Sequence, residues 1–386
     1  PSIQEQTQLG ETINTLPTDS VVIPVDIAAV AKSNWFPKQF VPYMSPALGW
    51  KLPSHNIYKG ELIQLEIISN NAVSGWKRPI YFASTLPNDL DRLEELYLKY
   101  NFKKSHIALG KQLINTPFIN LQDGRMRPTE VGGLFGEIFP GKKNKLEGGY
   151  LYEISPRGTV DWYGIGESIG IYPNGTNVNG TKGNYKGNIE SNGVYLLGYT
   201  HQLPQGNSLK LWNVYVDNVF NTSMLQWDLK RGAWVAGVQY TQQQAVNEGG
   251  NEDPSKTYFS PDQHSRVIST KVGYESGNWK TSLNYTRITA EGRYLMPREW
   301  GRDPFYTFMP RERNEGFGDV NAIVGKIDYQ FSQLPLKSSI SYGYFQLPDV
   351  KNYALNKYGM PSYTQLNIDL SYEFVNVTSA EGPLEK

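Results

Sequence analysis

The chain has 386 residues, enough for one large domain or two ordinary ones. Its 37 basic and 37 acidic side chains balance, which disfavours a nucleic-acid binder, and the absence of cysteine excludes disulfides and thiolate metal sites. The 26 tyrosines and 37 glycines fit an outer-membrane barrel and a secreted β-rich protein equally well, and no run approaches the roughly 20 apolar residues of a spanning helix.

Residues 1–90 have a mixed character. Short apolar runs at 21–25, 61–68 and 76–83 are typical of strands, whereas the charged stretch 88–95 fits a helical turn or a connector. We therefore predict a small mixed α/β segment here, separate from the rest of the chain.

From about residue 94 onward the sequence becomes a series of segments about ten residues long in which apolar and polar residues alternate. This pattern is typical of a membrane β-barrel, where one face of each strand meets lipid and the other meets water. We count roughly thirteen such strands, at about ten residues for each spanning strand. The alternation is clearest at residues 365–374, where one face holds Leu366, Ile368, Leu370, Tyr372 and Phe374 and the other holds Asn367, Asp369, Ser371 and Glu373.

The connections between these strands also alternate in length. Short turns at 205–207, 230–232 and 275–278 separate long polar segments, as in bacterial barrels. We predict that residues 91–386 form an all-β, antiparallel transmembrane β-barrel. Because bacterial barrels normally have an even number of strands, we expect strands to be missing at one or both ends. The long segments are 156–191, 244–263, 288–318 and 346–362.

Two groups of charged residues are candidates for a pore. Arg125, Arg127 and Arg157 flank long segments, and Asp161 and Glu167 lie in the segment 156–191. Opposed charges at a constriction would orient and select solutes; the alternative is ordinary solvated loop charges. The second group, in or beside residues 288–318, fits a pore mouth, a lipopolysaccharide-facing surface or an exposed salt-bridged loop. Its members are Arg287, Arg293, Arg298, Arg302, Arg311 and Arg313.

Tryptophans on the expected strands fit an aromatic girdle at the lipid interface, or core packing in a soluble sandwich. They are Trp212, Trp227, Trp234 and Trp279.

No motif for catalysis stands out. The four histidines are far apart, and there is neither a nucleophile elbow nor a P-loop. We therefore expect no catalytic residues, no metal and no cofactor.

Several stretches resemble the OprD family of outer-membrane porins, particularly members from Bacteroidota. They are residues 113–120, 122–129, 148–152 and 162–168, and the resemblance covers roughly 94–386. It implies a monomer-sized pore for small, often charged nutrients, with an inward-folded loop and a row of basic side chains at the constriction. The implied partners are outer-membrane lipid and small solutes, with no nucleic acid. The family is typically longer than this segment.

Residues 1–89 are instead similar to the C-terminal soluble part of mannosyltransferase-like multispanning membrane proteins of the same bacteria. The stretches that carry this similarity are 59–68 and 76–82. The spanning helices that would carry catalysis are missing, so the similarity implies no activity here.

The leading hypothesis is a non-enzymatic porin of the bacterial outer membrane, giving passive, charge-selective diffusion of small solutes. The alternative is a secreted or surface β-sandwich that binds carbohydrate through its aromatic residues. A third hypothesis, a barrel enzyme, would need a nucleophile and a base. The transported solute, the gating and the oligomeric state stay open.

Overall fold

The computed structural model describes residues 49–53, 64–70, 95–122, 128–310 and 313–373, the first two ranges by their backbone. This part of the chain is nearly all β, with a helical turn at Ile165–Ser168 and a 3-10 turn at Pro204–Gly206. The strands are β1 Gly49–Pro53, β2 Gln64–Asn70, β3 Glu95–Phe102, β4 Ser105–Gln112, β5 Glu130–Ile138, β6 Asn144–Ser155, β7 Tyr163–Gly164, β8 Val194–Gln202, β9 Ser208–Val216, β10 Phe220–Arg231, β11 Trp234–Ala245, β12 His264–Ser276, β13 Trp279–Ile288, β14 Val320–Gln330, β15 Leu336–Gln346 and β16 Tyr363–Tyr372.

All strands belong to one antiparallel sheet in which each strand pairs with the next along the chain. The exception is β7, which pairs only with β6, so that β6 pairs with β8. From β3 to β16, with the two-residue β7 set aside, thirteen strands remain, which agrees with the number expected from the alternation. Within the described residues, the edge strands β1 and β16 are not paired with each other. β2 pairs with β3 across the boundary expected near residue 90, and the division into two domains stays a prediction.

The two faces of the sheet differ as the alternation predicted. On β16, Leu366, Ile368 and Leu370 are 59%, 62% and 70% exposed on the outer face. On β13, Leu283 is 63% exposed, whereas its neighbour Asn284 on the other face is 1% exposed. A soluble half-buried sheet would bury its large apolar residues. The single sheet with an apolar outer face therefore matches a membrane barrel rather than a sandwich of two packed sheets.

The connections differ between the two ends of the sheet, as expected. At one end they are short, as at residues 203–207 and 277–278. At the other end they are long, apart from the tight turn at 217–219 between β9 and β10. The long connections span residues 113–129, 156–193, 246–263, 289–319 and 347–362, and the second of these contains β7 and the helical turn.

Two of the tryptophans lie at the short-turn end of the outer face. Trp234 packs edge-on against Tyr274 at 5.1 Å, and the Trp279 ring lies 4.4 Å from that of Tyr329. Both are more than half exposed, as a girdle residue would be. Trp212 departs from this expectation: it is 6% exposed, because it lies beside Gly198 in the paired strand, on the inner face.

The apolar core lies inside the sheet at the end with the long connections. Its largest fully buried side chains include Phe118, Phe220, Tyr294, Trp300 and Phe317, most of them in those connections. Burying one such ring contributes about 1.5–3 kcal/mol. The long connections are therefore packed into the interior of the sheet rather than extended into solvent.

Candidate functional site

One segment of the β13–β14 connection crosses the inner face of the sheet. Residues 305–309 are alternately buried and half-buried, and a turn closed by the bond from Phe308 N to Phe305 O (2.9 Å) lies within them. Pro304 and Pro310 flank this stretch, and proline lacks the N–H group needed to join a strand ladder. Side chains of the wall hold the segment in place instead. The bonds run from Gln239 of β11 to Pro304 O (3.0 Å), from Tyr306 N to Ser269 of β12 (3.1 Å), from Thr307 to Thr286 of β13 (2.7 Å), from Lys326 of β14 to Phe308 O (3.0 Å) and from Gln365 of β16 to Pro310 O (2.5 Å).

Tyr306 is seated in a notch of the wall. Gly237 of β11 has Asp228 of β10 and Lys271 of β12 as its paired neighbours, so all three face inward. The hydroxyl of Tyr306 donates to Asp228 Oδ1 at 2.9 Å, and the Lys271 ammonium lies 5.1 Å from the centre of the Tyr306 ring. Lys210 of β9 pairs with the same carboxylate at 2.9 Å. The missing side chain of Gly237 thus makes room for the ring.

A cavity of about 510 Å³ lies between this segment and the wall. Lys271, Arg302 and Lys326 supply three cations to its lining, and Asp303 supplies one carboxyl group. Burial raises the pKa of Asp303 to about 6, although Arg313 opposes the shift. The other polar groups are amides and hydroxyls, including Asn120, Gln226, Gln239, Ser282 and Asn284. The cavity is therefore polar and predominantly basic.

The same connection is anchored on its other side to the β6–β8 connection. The indole N–H of Trp300, a fully buried side chain, donates to Ser168 Oγ at 2.8 Å. The carboxylate of Glu299 accepts from the backbone N–H groups of Gly170 (3.1 Å) and Tyr172 (2.7 Å). Burial raises the pKa of Glu299, and the hydrogen bond from Tyr172 opposes this. The inward segment is thus fixed at both ends.

The first group of candidate charges is not gathered at this cavity. Arg157 is half-buried and donates from Nη1 to the carbonyl of Gln122 at 3.3 Å. Asp161 is exposed and accepts from Tyr163, and Glu167 accepts from the N–H of Gly164 at 3.2 Å. Arg125 and Arg127 lie outside the described residues. A role for these five residues in selection stays a prediction.

Of the second group, Arg302 alone among its described members lines the cavity. Arg287 pairs with Asp319 at 2.6 Å, and Arg298 pairs with Glu315 at 3.1 Å. Arg313 donates to the carbonyls of Arg298 and Gly301, and Arg293 donates to backbone carbonyls of two other connections. Most of these arginines therefore stabilise the β13–β14 connection itself, and Arg293 joins it to two others. Arg311 lies outside the described residues.

The lysines of the wall were not singled out as candidates, although the alternation carried a signal for one of them. Lys326 stands opposite the apolar Ile327 in the strand pattern and is therefore expected on the inner face. The same pattern places many other polar residues inward. Only the strand register shows that Lys326 and Lys271 flank the same part of β13, at Ser282 and Asn284.

Within the ranges that the structure describes, no helix is long and apolar enough to cross a membrane. In those ranges, too, no group of three or more histidine and acidic side chains is placed to hold a metal ion.

Comparison with known proteins places the fold. The model of a family described as TMEM260-associated domain 2 matches residues 1–107, which does not confirm the mannosyltransferase-like resemblance of this region. No curated protein matches the chain. The solved structures that are similar over most of it include three structures of outer-membrane proteins. They are OpdK with vanillate from Pseudomonas aeruginosa (TM-score 0.60, 15% identity, 84% of this chain and 81% of that one), the outer membrane protein OpdK from the same organism (0.55, 16%, 77% and 75%) and OccAB4 from Acinetobacter baumannii (0.61, 16%, 85% and 81%).

At these identities the similarity concerns the fold. The described chain is an antiparallel sheet of the porin-barrel type, with an apolar outer face, a polar inner face and an inward-folded connection.

Proposed function

We propose that this protein forms a water-filled channel of the OprD type in a bacterial outer membrane, through which small solutes diffuse passively and anions pass preferentially. The observation that carries this proposal is the basic cavity between the wall and the inward segment, with Lys271, Arg302 and Lys326 facing Asp303. A water-filled path lined by cations lowers the electrostatic barrier for anions and raises it for cations. No covalent chemistry is needed.

Four further features support the proposal. The outer face is apolar, as lipid contact requires, and the short connections correspond to the periplasmic turns of bacterial barrels. The segment from Pro304 to Pro310 narrows the space inside the sheet, as a constriction loop would. The similar structure of OpdK contains vanillate, which is a carboxylate. In a closed barrel the edge strands β1 and β16 would each pair with a further strand or with each other, in addition to the pairs that the described residues form.

Conductance in a planar lipid bilayer tests the proposal. We expect the refolded chain to give stepwise current. In a KCl gradient the sign of its reversal potential should show that chloride is more permeant than potassium. The double variant Lys271→Gln and Lys326→Gln should shift the reversal potential towards cations. Lys256→Gln is the matched control, because the Lys256 side chain is 39% exposed, pairs with Asp253 and does not line this cavity.

The two parts of the proposal fail separately. A chain that inserts into the bilayer without conducting contradicts the channel. A chain that conducts with the same ion preference in the parent and in the double variant contradicts the role of the basic wall.

A further inference from the structure

A second, smaller cavity of about 110 Å³ lies among the long connections, away from the inward segment. Residues of four connections line it, namely 156–193, 246–263, 289–319 and 347–362. At about 30 Å³ for each molecule in liquid water, its volume corresponds to three or four waters. Sites for drug-sized ligands need about 300–1,000 Å³, so this cavity suits only a small group.

Lys357 contributes a buried ammonium group to the lining. The residue is 3% exposed, and its Nζ lies 5.0, 4.9 and 5.4 Å from the ring centres of Tyr185, Tyr258 and Tyr358. Its carboxylate neighbour is Glu315, at 3.7 Å from Nζ, beyond hydrogen-bond distance. The contact is to Oε1, whereas Oε2 of the same carboxylate accepts from the Tyr358 hydroxyl at 2.9 Å and pairs with the Arg298 guanidinium at 3.1 Å. The charge of Lys357 is therefore only partly compensated.

Arg293 contributes a second buried cation. It is 4% exposed, and its terminal nitrogens donate to the carbonyls of Thr176 (2.7 Å), Asn177 (3.2 Å) and Tyr353. Among the described residues it forms no ion pair, and its Nε–H has no hydrogen-bond acceptor. Such a group is costly to bury without a partner.

The hydroxyl of Tyr258 is a third donor without a partner in the described part of the chain. Tyr258 is 6% exposed and lines the same cavity as Arg293 and Lys357. Three buried donor groups, two of them cationic, therefore surround one small space.

Two buried carboxylates, Glu315 and Glu299, act on Lys357, and the cations Arg293 and Arg298 oppose them. Burial lowers the pKa of Arg293 to about 10 and also lowers that of Lys357, as expected for cations with incomplete compensation. Glu248 and Glu252 border the cavity too, but both are exposed, so solvent screens their charge. The buried lining is thus electropositive.

We propose that this cavity is a binding site for a small oxyanion, a carboxylate or phosphate group held by Lys357, Arg293 and Tyr258. Such a group accepts several hydrogen bonds at once and supplies the negative charge that the two cations lack. It would also join three of the four connections through a shared ligand. The site lies apart from the cavity of the proposed channel and does not depend on conduction.

Calorimetric titration of the refolded chain in detergent tests this inference. The probes are inorganic phosphate and acetate as free anions, and phosphatidic acid in the micelles as a membrane-bound source, with chloride at equal ionic strength as the reference. We expect at least one probe to bind one site per chain. Preference for phosphatidic acid over both free anions would identify a lipid headgroup as the source.

Two variants locate the binding. Tyr258→Phe should weaken it about tenfold or more, because a hydrogen bond to a charged group is lost. Lys357→Met, which keeps most of the aliphatic stem, should weaken it further. Tyr344→Phe is the matched control, since Tyr344 is exposed on the outer face. In the absence of ligand, Tyr258→Phe should unfold no more easily than the parent, because its hydroxyl has no partner to lose.

The inference is overturned if none of the three probes binds more tightly than chloride. Equal binding by the parent, Tyr258→Phe and Lys357→Met would overturn it as well. If the parent chain does not conduct but still binds the anion, the result contradicts the proposed channel and does not contradict this binding site.

Discussion

The notch at Gly237 allows a sharp test of how the inward segment is seated. A Cβ atom built on Gly237 would lie 2.6 Å from Cζ of Tyr306 and nearer still to its hydroxyl oxygen. Carbon atoms in contact prefer separations of about 3.5–4.0 Å, so in Gly237→Ala the ring must move by roughly 1 Å. That movement breaks the 2.9 Å hydrogen bond to Asp228. A hydrogen bond to a charged group is worth about 1.5–3 kcal/mol, and we expect a loss of stability of this size.

The assay combines thermal unfolding in detergent with single-channel conductance. Gly237→Ala should unfold at a lower temperature and give an altered conductance, since the segment that narrows the lumen is displaced. Gly325→Ala is the matched control, because a Cβ on this strand glycine meets nothing within 4 Å. Alanine costs less backbone entropy than glycine there, so the control should be neutral or slightly stabilised. If the two variants behave alike, Tyr306 does not occupy the notch.

Three further predictions concern the buried anchors. Trp300→Ala should lower the free energy of unfolding by about 3–5 kcal/mol, because it removes a fully buried ring and leaves a cavity. Trp279→Ala, on the exposed outer face, should lower it clearly less. Equal losses in the two variants would contradict the assigned burial. Ser168→Ala should lower the free energy of unfolding by about 1–3 kcal/mol, because the Trp300 N–H loses its acceptor. Urea unfolding followed by tryptophan fluorescence measures this loss. An unchanged midpoint would refute the hydrogen bond. Burial raises the pKa of Asp303 from 3.8 to about 6, so the folded state binds more protons than the unfolded state in this range, and its stability should rise by about 2 kcal/mol as the pH falls from 7 to 4. Asp303→Asn, which keeps an acceptor for the Asn314 N–H, should lose this contribution, and an identical pH profile would exclude it.

The buried anchors also explain why the long connections are ordered. The inward segment has no strand partner of its own, so its backbone carbonyls depend on side chains such as Gln239, Lys326 and Gln365. Unsatisfied buried carbonyls would be costly. The wall thus supplies polar groups that a lipid-facing surface could not.

The sequence by itself determined which face of each strand is apolar and which is polar. It also determined that short connections alternate with long ones. Both follow from local rules: side chains alternate with a period of two along a strand, and turn residues mark its ends. The outward position of Leu366, Ile368 and Leu370 and the inward position of Lys326 could therefore be predicted from neighbouring residues alone. Where a short turn joins two strands, their antiparallel pairing is likewise a local consequence of that turn.

Only the tertiary structure decided which inward residues meet. Arg302 and Lys271 are brought to one cavity by the path of a long connection, and Gly237 faces Tyr306 through the register of three strands. Neither depends on residues close in the chain. The arginines of residues 287–313 show the same limit, because their sequence pattern fits a pore mouth. Packing instead directs most of the described ones to carbonyls and carboxylates of residues 289–319, and Arg293 to a carbonyl of another connection. Charge and spacing along the chain do not specify the distant partner that burial selects.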